Sequence, residues 1–91
     1  MVKEIGQFYW EGRPQLNQIV VSTTDGNYYL VSYGKVVASV GEDEVRLSRY
    51  WDYSVTTAKW VARFLGLESA KEVRDHIKSG EFKLVSELVI K

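Results

Sequence analysis

The residue types most able to do chemistry gather in one stretch, Tyr50-Trp51-Asp52-Tyr53-Ser54-Val55-Thr56-Thr57-Ala58-Lys59-Trp60, where aromatic rings run into hydroxyls and a lysine. If a helix begins here, its first-turn N–H groups and partial positive charge receive anions. Ser54, Thr56, Thr57 and Lys59 would then hold a phosphate or carboxylate, with Tyr50, Trp51 or Tyr53 as a stacking wall. The plainer alternative is a capped helix whose aromatics complete a small core. It weighs more heavily, because capping hydroxyls and core aromatics are both common.

A second feature is the basic row Lys71, Arg74 and Lys78, which falls on one line of a helix and could be joined by Lys59 and Arg63 as phosphate contacts. Lys and Arg stems also lie along the edges of apolar helix faces with their heads in water, and a solvated flank is the commoner outcome. The acidic turn Glu42-Asp43-Glu44 lacks the spacing of a calcium loop and reads as solvated. His76 is the only histidine, and there is no cysteine, so a zinc site would need carboxylates for its remaining ligands. No sequence around any serine suggests a nucleophile motif, and the glycines are scattered rather than gathered into a phosphate loop. The expectation is a protein that is not an enzyme and carries no cofactor or metal.

The elements that must position these residues are legible from periodicity. Gln18 to Thr23 is β-branched and reads as a strand; Asp25-Gly26 predicts a two-residue type I′ hairpin turn; Asn27 to Tyr33 returns. Gly34-Lys35 turns the chain into Val36 to Val40, and Gly41-Glu42-Asp43 into Glu44 to Tyr50. Residues 2–10 offer an earlier strand, which Glu11-Gly12-Arg13-Pro14 separates from the next. From Ser54 the period becomes helical through Ala58, Val61, Phe64 and Leu65 until Gly66. Ser69-Ala70-Lys71-Glu72 has the form of a capping box opening a second helix, which Gly80 ends. Residues 81–91 suit a strand or a helix, and a C-terminal strand that pairs with a sheet edge is favoured. The fold class is therefore α+β: an antiparallel meander of four to five strands, two short helices on one face and a last strand. The expected core is Val31, Val36, Ala38, Val40, Val45, Leu47, Val61, Phe64, Leu65, Val73 and Ile77.

Ninety-one residues suit a single domain spanning 1–91. Without cysteine it must be held by packing, to which three Trp, six Tyr and three Phe can contribute. The twelve basic and twelve acidic side chains cancel, and the halves differ slightly: five basic and seven acidic groups in residues 1–53, seven and five in 54–91. A nucleic-acid binder usually shows a basic excess. No run approaches the ~20 apolar residues of a membrane helix, and no apolar stretch follows Lys3 as in a signal peptide. A reducing, cytoplasmic setting and no membrane partner are expected.

The matching residues Ser32-Tyr33, Val37-Ala38, Trp51-Asp52-Tyr53-Ser54, Thr56-Thr57, Lys59 and Phe64-Leu65 carry a resemblance. The stretch from Tyr29 to Leu65 resembles an uncharacterised family of small proteins encoded by phages and other mobile elements. In that family a Ser-Tyr pair in a sheet-forming segment runs into a Tyr/Trp-Ser-x-Thr-Thr stretch and a helix ending in Phe-Leu. This chain departs from the pattern at Trp60, where a His commonly stands. The resemblance implies a mobile-element origin, in the cytoplasm of a host cell. It leaves three expectations. The first is a non-enzymatic interaction protein that binds a host or phage macromolecule, most readily a protein, with inhibition of a host defence system as one form. The second is a nucleic-acid-binding module using Lys59, Arg63, Lys71, Arg74 and Lys78. The third, more distant, is a small enzyme.

Overall fold

The computed structural model describes residues 1–90. Its elements are β1 (Val2–Trp10), β2 (Arg13–Thr23), β3 (Tyr28–Ser32), β4 (Lys35–Val40), β5 (Val45–Ser48), α1 (Val55–Phe64), α2 (Ala70–Lys78) and β6 (Phe82–Val85). They form one six-stranded sheet in the order β1-β2-β3-β4-β5-β6. The first five strands are an antiparallel meander, and β6 returns after the two helices to lie parallel to β5. The expected α+β class holds; the sheet has six strands where the meander reading gave four to five, and the C-terminal strand accounts for the sixth. Among the described residues no helix is long and apolar enough to cross a membrane.

The turns depart from expectation in an instructive way. Asp25-Gly26 does not form a type I′ turn: the loop spans residues 24–27, and only Gly26 takes a positive φ there. The Thr23 hydroxyl donates to the Asp25 carboxylate and also accepts from the Asn27 N–H at 3.3 Å, so side chains shape this loop. The two-residue turns lie instead at Glu11-Gly12, with φ of 52° and 77°, and at Tyr33-Gly34, with φ of 50° and 79°. Both place two residues in the left-handed region that a type I′ turn requires. The Glu11 to Pro14 segment is thus a tight hairpin, with Arg13 opposite Trp10 and Pro14 opposite Tyr9.

One irregularity decides which side chains are core. Leu30 pairs with Ala38 but Val31 pairs with Val36, so Val37 is an extra residue on β4, a β-bulge. Val36 and Ala38 therefore lie on opposite faces although two residues apart. The helices cover the face of Leu30, Ala38 and Leu47, and there Trp51, Ala58, Trp60, Val61, Ala62 and Val73 complete the core. Val31 and Val36, expected in that core, are half-buried and share the opposite face with Val21 and Tyr29. Val40, Val45, Phe64, Leu65 and Ile77 are also half-buried rather than enclosed. Residues 86–90 cross the second face: Leu88 lines one cleft with Tyr29 and Ser39 and another with Val36 and Tyr50.

Candidate functional site

Both helix starts carry the serine cap that the sequence predicts. Ser54 is extended and its hydroxyl accepts from the Thr57 N–H at 3.0 Å, which caps α1. Ser69 caps α2 by accepting from the Glu72 N–H at 3.4 Å, while the return bond from the Glu72 side chain that would complete a capping box is not formed among the described residues.

The stretch from Tyr50 to Lys59 divides between structure and surface. Thr57 is fully buried and its hydroxyl pairs with that of Ser32 at 2.9 Å, which ties α1 to β3. Trp51 is buried with the Arg74 guanidinium 5.5 Å from its ring. Tyr50 is half-buried between the cations of Lys35 and Arg49, each 4.9 Å from its ring. Arg49 donates to its hydroxyl at 2.7 Å, and that contact pushes the guanidinium pKa further up. These groups are engaged internally.

Tyr53, Val55, Thr56 and Lys59 remain exposed. Tyr53 donates its hydroxyl to the Ser32 carbonyl at 3.4 Å, so it reaches the end of β3, beside the Tyr33-Gly34 turn. Tyr33 in turn donates its N–H to the Asn17 carbonyl at 2.9 Å, next to Leu16. These links gather large apolar side chains at one end of the molecule, where Leu16 is 83% exposed, Tyr33 49%, Tyr53 49% and Val55 89%. Behind them, between the starts of α1 and α2, lies an open cleft of about 410 Å³ lined by Tyr53, Val55, Ala58, Lys59 and Arg74, among others. Sequence reasoning found Tyr53 and Lys59 but missed Leu16 and Tyr33, which come from distant strands.

The basic row does not act as a unit. Lys71 pairs with Asp75 at 3.2 Å and Arg74 with Asp52 at 3.8 Å, so two of its three charges face carboxylates. Lys78 is exposed at the end of α2. Lys59 and Arg63 lie on α1 and point to another neighbourhood, with Lys59 over the Trp60 ring at 4.5 Å and Arg63 over the Trp10 ring at 5.4 Å. His76 lies edge-on to Phe82 and 3.7 Å from the Glu81 carboxylate, and no group of carboxylates and histidine suited to a metal forms among the described residues.

No curated protein matches this chain, and no solved structure does. A family model described as a family of unknown function (DUF8033) matches residues 11–80, which include the whole stretch from Tyr29 to Leu65 as well as both helices. The match covers most of the chain, and the protein belongs to that family.

Proposed function

We propose that this protein is a non-enzymatic binding module whose exposed end, built from Leu16, Tyr33, Tyr53 and Val55, docks a protein partner. The observation that carries the reading is Tyr33. Its φ of 50° is a left-handed conformation that costs an L-residue roughly 1–2 kcal/mol, and Asn or Gly would take the same turn position more cheaply. A bulky ring held there and left half in water gains only part of what full burial would give. Backbone strain of this kind collects at functional positions. Tyrosine is also among the residue types that most often dominate interface energies, because it offers a rigid apolar face and a polar tip. Lys59 supplies a charge at the border of the same patch.

The resemblance to small phage and mobile-element proteins makes the partner a host or phage macromolecule met in the host cytoplasm, and inhibition of a host defence component is one form of the reading. The test compares proteins captured from a host lysate by the wild-type chain with those captured by Tyr53→Ala and by Val55→Glu. Both positions are exposed, so both variants are expected to fold as the wild type does. A protein enriched by the wild type and weakened more than tenfold in both variants, about 1.4 kcal/mol or more, supports the reading. Capture unchanged in both variants would remove this end of the molecule from the interface.

A further inference from the structure

The hairpin of β1 and β2 leans against α1 and encloses a cleft of about 580 Å³ lined by Trp10, Glu11, Arg13, Gln15, Lys59, Trp60 and Arg63. It lies on residues that the exposed apolar end does not use, apart from Lys59, which borders both clefts. Three cations and one carboxylate face it. Arg13, Lys59 and Arg63 form no ion pair with any carboxylate among the described residues, whereas Arg46, Lys71, Arg74 and Lys83 all do. Lys3, Lys35, Arg49 and Lys78 also lack an ion pair among the described residues, but none of them lines this cleft, where three such cations meet one carboxylate.

Two of the three cations are held rather than trailing in solvent. Lys59 lies 4.5 Å from the centre of the Trp60 ring and Arg63 lies 5.4 Å from that of Trp10. Arg63 is fixed further by donating Nη1 to the Glu68 carbonyl at 2.7 Å and to that of Leu67 at 3.4 Å. Its Nε is shielded from solvent with no hydrogen-bond partner, and Nη2 has none among the described residues. Nη2 of this guanidinium therefore keeps its donors for an acceptor that enters from the cleft, while the shielded Nε stays out of a ligand's reach. The unengaged Arg13 fork, Arg63 Nη2 and the Lys59 ammonium suit the several oxygens of a phosphate better than one carboxylate. The volume exceeds that of a bare phosphate and falls within the range of small-molecule sites, and the half-buried Trp10 indole offers apolar wall to a base.

We infer that this cleft binds the phosphate of a nucleotide unit, whether free or within a single-stranded nucleic acid, through Arg13, Lys59 and Arg63.

The test measures binding of ATP, of a labelled short oligothymidylate and of inorganic phosphate by the full chain at low and moderate salt. Arg13→Gln, Arg63→Gln and the control Lys71→Gln are measured beside the wild type. The expected result is saturable binding of ATP or of the oligothymidylate that weakens about tenfold in Arg13→Gln and in Arg63→Gln and is unchanged in Lys71→Gln. If the oligothymidylate binds, three phosphate contacts predict a slope of log affinity on log salt near about −2, and this identifies the source as a strand. Binding of ATP without the oligothymidylate identifies a free nucleotide. Binding of inorganic phosphate alone, binding of no probe, or equal loss in Lys71→Gln overturns the inference. Arg63 also anchors the link between the helices, so a poorly folded Arg63→Gln leaves the decision to Arg13→Gln, whose side chain makes no hydrogen bond or ion pair among the described residues.

Discussion

Gln18 is the most unusual single residue in the core. It is fully buried, pairs with Ser32 across β2 and β3, and both of its amide atoms lack a hydrogen-bond partner among the described residues. Directly opposed residues share a face of the sheet, so its side chain lies beside Ser32 and beneath α1, which contributes Thr57 to the same spot. An unsatisfied buried amide costs roughly 1–3 kcal/mol, and an apolar side chain of similar shape removes that cost. Gln18→Met should raise stability by about 1 kcal/mol in a denaturant melt. A loss of stability instead would mean that the amide is satisfied in solution. At the far edge of the sheet, Lys83 on β6, at 2.8 Å, and Arg46 on β5 both contact the Glu44 carboxylate. Hydrogen bonding from Lys83 first, and then from Arg46, holds the Glu44 pKa below the ordinary glutamate value. A lowered folded pKa contributes stability above the unfolded value, and this contribution disappears as pH falls through the folded one. Glu44→Gln should therefore lower stability at neutral and alkaline pH and flatten the acid limb of the profile, leaving stability at the acid end unchanged, as thermal melts across pH would show.

At the scale of elements, the hairpin turns carry the clearest prediction. Glu11 occupies the first position of a type I′ turn with φ of 52°, where Asn is favoured because its short polar side chain tolerates the left-handed region. Glu11→Asn should stabilise the β1–β2 hairpin by about 0.5–1 kcal/mol, measured by urea denaturation. Tyr33→Asn makes the same change at the second such turn and should stabilise similarly, yet it removes a ring from the proposed interface. Gain of stability with loss of binding is the signature of strain kept for function. These turns also explain what the sequence revealed and what it hid. Period-two alternation, the Ser54 and Ser69 caps and the glycine stops located both helices and most strands, because those signals are local. Asp25-Gly26 misled because the Thr23 hydroxyl and Asp25 carboxylate compete for the local geometry, while Glu11-Gly12 and Tyr33-Gly34 carry residues poorly suited to the turn they make. The Val37 bulge was invisible because only the pairing partner on β3 creates it, and it inverted the face assigned to Val36, whereas Val31 faces away from Leu30 by ordinary alternation along β3. The candidate surfaces were half legible for the same reason: Tyr53, Lys59 and Arg63 stand near α1, whereas Trp10, Arg13, Leu16 and Tyr33 reach them only through the fold.

Across the whole molecule, protection is distributed unevenly. β3 and β4 each pair on both sides and contribute Leu30, Val37 and Ala38, all fully buried, to a core closed by Trp51, Trp60 and Val61 of the helical layer. β1 is nine residues long but pairs only with β2, and its side chains are exposed apart from Phe8 and Trp10. Phe8 meets Trp60 and Phe64 edge-on, at 5.8 and 6.3 Å between ring centres, so the far half of β1 is pinned to α1 while residues 2–7 are not. Bulges between Val2 and Glu4 and between Gln7 and Tyr9 further interrupt its ladder, a common way to discourage a bare edge from pairing with another chain. Local opening costs least where few apolar contacts are lost. Amide hydrogen exchange should therefore release the β1–β2 ladder around residues 4–7 first, and the β3–β4 ladder only with global unfolding. The two candidate surfaces sit on different sides of this gradient. Arg13 and Trp10 lie at the pinned end of the same hairpin, so a ligand bridging them to Lys59 and Arg63 should hold the hairpin closed and slow exchange in β1 and β2. A partner docked on Tyr33, Tyr53 and Val55 should leave β1 exchange unchanged and protect the start of α1. Equal protection of β1 and β4 in the free protein would show that the hairpin is an integral part of the core, and the ligand-dependent contrast would then vanish.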